Sequence, residues 1–214
     1  MVRGLSIVQA KDVRVDSQVH DVSTDLQSGV YEGGFKLWEC SLDLVDYLKD
    51  CLPPGGGWAL DMGCGHGLPG IVCAQRGFNV VFQDFNSEVL LRQTMHNVKL
   101  NVKLNDNNRQ VFYMAGDWNS CVESLGTYKF DFILASETIY STDTFAVHAE
   151  IFNQCLSPTG IALVAAKRFY FGVGGGSTEF MEYIQGQTSL KCRKLSSFND
   201  GSSNVRDLVL VERI

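Results

Sequence analysis

The chain has 214 residues, 45% of them hydrophobic and 11% aromatic, a makeup that gives one folded domain with a sizeable core and excludes a disordered tail or a fibrous repeat. Eighteen lysines and arginines against 24 aspartates and glutamates leave a net charge of -6, which argues against a surface built to neutralise nucleic-acid phosphates and is compatible with a basic protein partner. The seven scattered cysteines form no CxxC pair and no zinc set, and with no signal peptide at Met1–Asp21 and no apolar run of about 18 residues the expectation is a soluble protein of the cytosol or nucleus.

Residues 1–24 alternate Val, Asp and Lys and read as an N-terminal extension, leaving 25–214 as the domain. Leu37–Cys51 has the apolar spacing of an amphipathic helix and ends at Pro53-Pro54-Gly55-Gly56-Gly57. From Trp58 the chain alternates short apolar runs with helix-like segments, the rhythm of a parallel sheet flanked by helices. Strands are predicted at Trp58–Met62, Asn79–Asp84, Gln110–Ala115, Phe130–Ser136 and Ile161–Lys167, with helices at Pro69–Arg76, Glu88–Leu100 and Asp143–Cys155. A further helix is expected over Ser177–Gln185. Leu190–Ser196 and Asp207–Arg213 then form an antiparallel hairpin around a short Gly/Asn/Asp/Ser loop. Five parallel strands closed by a hairpin, with helices on both faces, make an α/β fold that looks like the seven-stranded, Rossmann-like sheet of methyltransferases.

The first strand runs into Asp61-Met62-Gly63-Cys64-Gly65-His66-Gly67-Leu68-Pro69-Gly70. Glycines such as Gly63 and Gly65 let a ligand approach the backbone, and the helix starting near Pro69 aims unpaired N–H groups at the same space. Gly65 to Gly70 also matches the G-x-G-x-x-G dinucleotide fingerprint. Asp61 separates the two readings: its carboxylate would repel a pyrophosphate and favour the cationic amino-acid end of S-adenosylmethionine. Asp84, about twenty residues on, is placed to accept from ribose hydroxyls with either cofactor. Asp117 and Trp118 are candidates for an adenine-edge acceptor and an aromatic wall, and Trp38 for a cap. His66 is expected to contact cofactor or solvent, and His20, His96 and His148, which lack metal spacing, to lie on the surface.

Four segments sharpen the reading: Asp25 to Cys40 (including Gly-Val-Tyr-Glu-Gly-Gly), Phe82 to Asn86, Ser136-Glu137-Thr138-Ile139-Tyr140, and Tyr170-Phe171-Gly172-Val173-Gly174-Gly175-Gly176. Together they resemble the histidine protein methyltransferase family, from about Asp25 to the C-terminus. The resemblance implies methylation of a histidine of large-subunit ribosomal protein three, with S-adenosylmethionine as cofactor and S-adenosylhomocysteine (SAH) as product. It implies a cofactor site lined by Leu37, Trp38, Glu39, Cys40, Ser41, Gly63, Gln83, Asp84, Phe85, Gly116, Asp117, Trp118 and Ser136. The chain departs from the family pattern in lacking most of a longer N-terminal region, in His66 where a small residue is usual, and in Asp117 where glutamate is common.

A histidine nucleophile is mostly neutral at pH 7, so the reaction calls for positioning and a fixed tautomer rather than a strong base. Glu137 or a nearby carbonyl is expected to accept the spare ring N–H, with Tyr140 and Tyr170 walling the imidazole. Gly172–Gly176 is either a loop closing on substrate or a plain connection. The alternatives are a lysine-directed methyltransferase, since Glu137-x-x-Tyr140 also resembles the acidic-x-x-aromatic motif of those relatives, and a cofactor-binding scaffold without turnover. A monomer that binds neither nucleic acid nor membrane is expected.

Overall fold

The computed structural model describes residues 5–6, 31–103, 109–199, 201 and 204–214. Apart from Leu5 and Ser6, the N-terminal extension lies outside the described residues, as do Asp25–Val30, His20 and part of the hairpin loop. β1 (Trp58–Met62) is buried almost throughout, as suits a central parallel strand covered on both faces. It pairs in parallel with β2 (Asn79–Asp84) on one side and β4 (Phe130–Ser136) on the other. β3 (Val111–Ala115) extends the sheet beyond β2, and β5 (Leu156–Lys167) beyond β4. β6 (Leu190–Phe198) and β7 (Arg206–Arg213) close it antiparallel, giving the order β3-β2-β1-β4-β5-β7-β6.

β5 begins at Leu156 and not at the expected Ile161, although Ser157-Pro158-Thr159-Gly160 reads as a turn. A register shift between Phe130 and Phe132 on β4 takes up these residues, pairing Phe130 with Leu156 and Phe132 with Ile161. Gly160 is required there, since a Cβ would stand 2.4 Å from the Phe130 carbonyl oxygen.

Helices α1 (Glu39–Cys51) and α2 (Leu68–Gln75) cover one face with the segment α3 (Ser87–Val89), a π-helical turn (Leu90–Thr94) and α4 (Met95–Asn101). The core there includes Leu44, Leu48, Ile71, Val80 and Phe82, and Leu5 joins it. On the opposite face α5 (Trp118–Leu125), α6 (Phe145–Cys155) and α7 (Ser177–Gln187) bury Leu125, Ile133, Phe152 and Phe180. α5 has no counterpart among the expected elements. It starts where the Asp117 carboxylate accepts from the Ser120 amide at 3.0 Å, an ordinary helix N-cap, and buries Cys121, Val122 and Leu125. All seven cysteine thiols are free, and no described helix is long and apolar enough to cross a membrane.

Candidate active site

In an open parallel sheet the carboxyl ends of the strands feed loops that converge beside the central strand, and ligands collect there. Here the loops after β1, β2, β3 and β4, together with residues 32–38 ahead of α1, enclose a cavity of about 310 Å³, at the small end of the range for ligand sites.

The turn after β1 forms one wall. Gly63, Gly65 and Gly67 all have positive φ, which side chains with a Cβ rarely adopt. At Gly63 a Cβ would also stand 2.8 Å from Thr138 Cγ2. Gln83, buried at the end of β2, ties three loops together: its Oε1 accepts from the Gly63 amide (3.1 Å) and from Trp118 Nε1 (2.9 Å), while its Nε2 donates to the Gly116 carbonyl (2.7 Å). Asp84 accepts from the Gly65 amide (2.9 Å) and the Asn86 amide (3.1 Å). Burial outweighs these hydrogen bonds and, with Glu32 nearby, raises its pKa to about 6.

The π-helical turn reaches the same loop from outside. Its Thr94 hydroxyl donates to the Gly65 carbonyl at 2.7 Å, and one turn later the Asn97 amide donates to the His66 carbonyl at 3.0 Å. Such wide turns recur at functional sites, and nothing in the apolar spacing of Glu88–Leu100 announces one.

The opposite wall comes from the end of β4. Glu137 has φ +58°, the only positive φ at a non-glycine among the described residues, in a region costly for a residue with a Cβ. Its backbone is pinned by donation from its amide to the Ala165 carbonyl at 2.9 Å. The Tyr170 hydroxyl donates to Oε2, and the Cys40 thiol lies within hydrogen-bonding reach of the same carboxylate. Oε1 is buried and has no partner. Burial and this carboxylate push the pKa values of Tyr170 and Cys40 well up, so both stay protonated as donors. Tyr140 lines the cavity with its hydroxyl donated to Glu32, and burial followed by that carboxylate raises its pKa.

Beneath this wall lies an unanticipated pair, Thr138 and His148. His148 is fully buried in α6 rather than on the surface. Its Nδ1 lies 2.6 Å from the Thr144 carbonyl, which can only accept, so Nδ1 carries the proton and Nε2 accepts from Thr138 Oγ1 at 2.9 Å. Burial lowers its pKa to about 4, leaving a neutral ring that packs edge-on against Trp118. The only sequence signal is that His148 falls among apolar residues of an amphipathic helix.

Of the residues singled out in the sequence, Leu37, Trp38, Ser41, Gly63, Gly65, Asp84, Phe85, Gly116, Asp117, Trp118, Ser136, Glu137 and Tyr140 line the cavity. Asp61 does not. It shares a strand face with Ala59, the face that packs on α2, so its carboxylate points at that helix and accepts from the Gly70 amide at 2.9 Å. Fully buried, it has its pKa raised to about 8. Gln83 and Cys40 stand behind the wall, and Tyr170 reaches it through Glu137. Glu39 faces away and pairs with Arg206 at 3.3 Å. Glu32, Gly33, Gly34 and Lys36 line the cavity although only their motif, and no role, is legible in the sequence. Gly175 and Gly176 are fixed rather than free to close: a Cβ on either would meet backbone within 2.8 Å, and the Gly176 amide donates to the Ile139 carbonyl at 2.9 Å.

Over residues 18–187 the chain matches a family described as lysine methyltransferase. It is 43% identical over 187 residues to a histidine protein methyltransferase 1 homolog of Dictyostelium discoideum, covering 87% of this chain and 60% of that protein. It is 33% identical over 233 residues to histidine protein methyltransferase 1 of Schizosaccharomyces pombe, covering 88% and 68%. The chain thus spans about 60% of the Dictyostelium protein's length. A magnesium protoporphyrin IX methyltransferase from Synechocystis, solved with bound SAH, shares the fold at a TM-score of 0.56 and 18% identity, over 80% of this chain and 81% of that one.

Proposed function

The chain belongs to the histidine protein methyltransferase family, and we propose that it is an S-adenosylmethionine-dependent protein-histidine N-methyltransferase acting on a basic protein, with a histidine of large-subunit ribosomal protein three as its target. The observation that carries this reading is Glu137, a carboxylate with one oxygen engaged by Tyr170 and the other buried without a donor. Leaving a buried acceptor unpaired is costly, and an imidazole that attacks through one nitrogen needs its other N–H held. Oε1 is assigned to that N–H. Tyr170 and Cys40 are positioning residues for the carboxylate, and the Tyr140 ring walls the imidazole.

The residues fit the cofactor. Gly63 and Gly65 present left-handed backbone without side chains to the cavity, as a ligand pressed on backbone requires. Asp84 would hold the ribose hydroxyls with the lone pairs left over from Gly65 and Asn86. Asp117 and Trp118 would hold the adenine edge and face, Trp38 and Leu37 would close the top, and Ser41, Phe85, Gly116 and Ser136 would complete the wall. Asp61 acts from behind by fixing the start of α2. When bound, S-adenosylmethionine supplies a methyl group on a sulfonium, open to in-line displacement. The chain's own task is to hold the neutral ring nitrogen in line and exclude water. No general base is required, since an unperturbed histidine is mostly unprotonated at pH 7.

Incubation with labelled S-adenosylmethionine and large-subunit ribosomal proteins, followed by mass spectrometry, tests this reading: methyl-histidine is expected. The description of the matching family favours one second reading, a protein-lysine methyltransferase, which methyl-lysine would establish instead. SAH binding without any methylated product would leave a scaffold. The unit responsible is taken to run from about residue 25, in a protein of the cytoplasm and nucleus.

A further inference from the structure

Residues 31–38 cross the open side of the glycine turn, and five of the residues from Glu32 to Leu37 line the cavity. This strap lies too close to the turn for side chains to intervene. A Cβ on Gly65 would stand 3.1 Å from the Gly34 carbonyl oxygen, and one on Gly34 would stand 2.9 Å from Val89 and 3.3 Å from Asp84. Such contacts are dispersive and non-directional, so they do not fix the strap's position alone. Side chains tie it down from opposite sides, among them Asn86, whose Oδ1 accepts from the Glu32 amide at 3.3 Å. On the acceptor side the Tyr140 hydroxyl donates to the Glu32 carboxylate. On the donor side His66 Nε2 lies 3.0 Å from the Phe35 carbonyl.

A carbonyl only accepts, so the proton of His66 is on Nε2 and Nδ1 is bare. Nδ1 is buried and has no partner. His66 is 4% exposed as a residue, and burial lowers its pKa, which keeps the ring neutral. A buried polar ring that satisfies only one of its two nitrogens is destabilising in itself, so its retention in a turn otherwise made of small residues needs a reason. The backbone on which it stands is held independently, by Asn97 donating to the His66 carbonyl at 3.0 Å.

We propose that His66 is a positioning residue that latches the 31–38 strap onto the glycine turn and thereby sets how fast the methyl donor and its product exchange. The inference rests on the cofactor reading above. Releasing a nucleoside from beneath the strap requires the hydrogen bond from His66 to the Phe35 carbonyl to open. Re-forming it closes the cavity before methyl transfer, as loops that gate product release do in many enzymes.

The test is stopped-flow fluorescence of Trp38 and Trp118 with SAH as the probe, joined to amide exchange over 33–37 with and without SAH. His66→Phe keeps the ring bulk and removes the donor, His66→Ser removes both, and His66→Gln restores a donor at the Nε2 position. The loss variants are expected to release SAH about tenfold faster, matching one lost hydrogen bond to a buried carbonyl. They are also expected to lose protection at 33–37 while α2 keeps its own, and H66Q is expected to stay within about twofold of the parent. Parental release rates in both H66F and H66S, or an H66Q protein as fast as they are, would overturn the latch. A parent protein that takes up no SAH would refute the cofactor reading instead, and exchange in the unliganded variants would then decide the latch, unchanged protection at 33–37 overturning it.

Discussion

The donor and acceptor walls of the cavity are built in opposite ways. Around Gly63 and Gly65 the side chains beneath the turn are spent on the chain itself: Gln83 uses both ends of its amide, and each Asp84 oxygen receives a backbone N–H. At the end of β4, Glu137 sits in left-handed backbone with one oxygen lacking any donor. Apart from His66 Nδ1, the donor wall is satisfied internally, and it recognises by shape together with the lone pairs that Asp84 keeps. A wall that keeps strain and an unpaired acceptor recognises by completing a hydrogen bond the fold leaves open.

That contrast breaks first at Glu137. Glu137→Ala is expected to lower kcat by about 10²- to 10³-fold while SAH affinity by calorimetry stays within about threefold, the range for removing a preorganised polar group at a reacting centre. An equal loss in kcat and in SAH affinity would erase the distinction between the walls.

The support under both walls is tested by pH. The folded pKa of His148, about 4, lies below the ordinary value near 6.5, so the unfolded chain binds the extra proton between them. His148 therefore lends stability above pH 6.5 that is lost as pH falls toward 4, about 3 kcal/mol in all. Asp61 and Asp84, with pKa values raised to about 8 and about 6, tilt stability the other way over that range. The quantity to measure is thus the gap between the parent and His148→Gln in denaturant midpoints. It is expected to narrow by about 2 to 3 kcal/mol from pH 7 to pH 4, and a constant gap would mean the ring is not neutral.

Gly63→Ala sharpens the comparison from the donor side. The added methyl in left-handed backbone, 2.8 Å from Thr138 Cγ2, is expected to weaken SAH binding about 30-fold, with kcat at saturating donor changed far less. The smallest effect is expected for Tyr170→Phe, which keeps the ring and frees Glu137 Oε2. It should cost about tenfold in kcat and leave SAH affinity alone.

Much of the frame is legible in the sequence, because a buried parallel strand is a short apolar run with glycine or polar punctuation. β1, β2 and β4 begin and end where that pattern does. α5 is short and is capped by Asp117, whose sequence position points to a ligand contact as readily as to a helix start. At the site, residue type and strand position were visible, and side-chain direction was not. Asp61 is a strand-end carboxylate beside a glycine turn, yet the two-residue period of β1 turns it toward α2. His148 was invisible as a buried group because one polar residue in a mostly apolar helix does not say which partners satisfy it. The positive φ of Glu137 and the wide turn at Thr94 are properties of tertiary context that no local pattern encodes.

The sheet order carries a consequence for how the chain comes to be folded. β7 lies between β5 and β6, so Arg206–Arg213 fill an interior slot, although they come late in the sequence. Until they have left the ribosome, β5 presents an open row of amides and carbonyls along its far side, an invitation to pair with a neighbouring nascent chain. Losing these eight residues would remove the keystone between β5 and β6 rather than trim an edge, and such a product would reach aggregates or proteases before it reached a substrate.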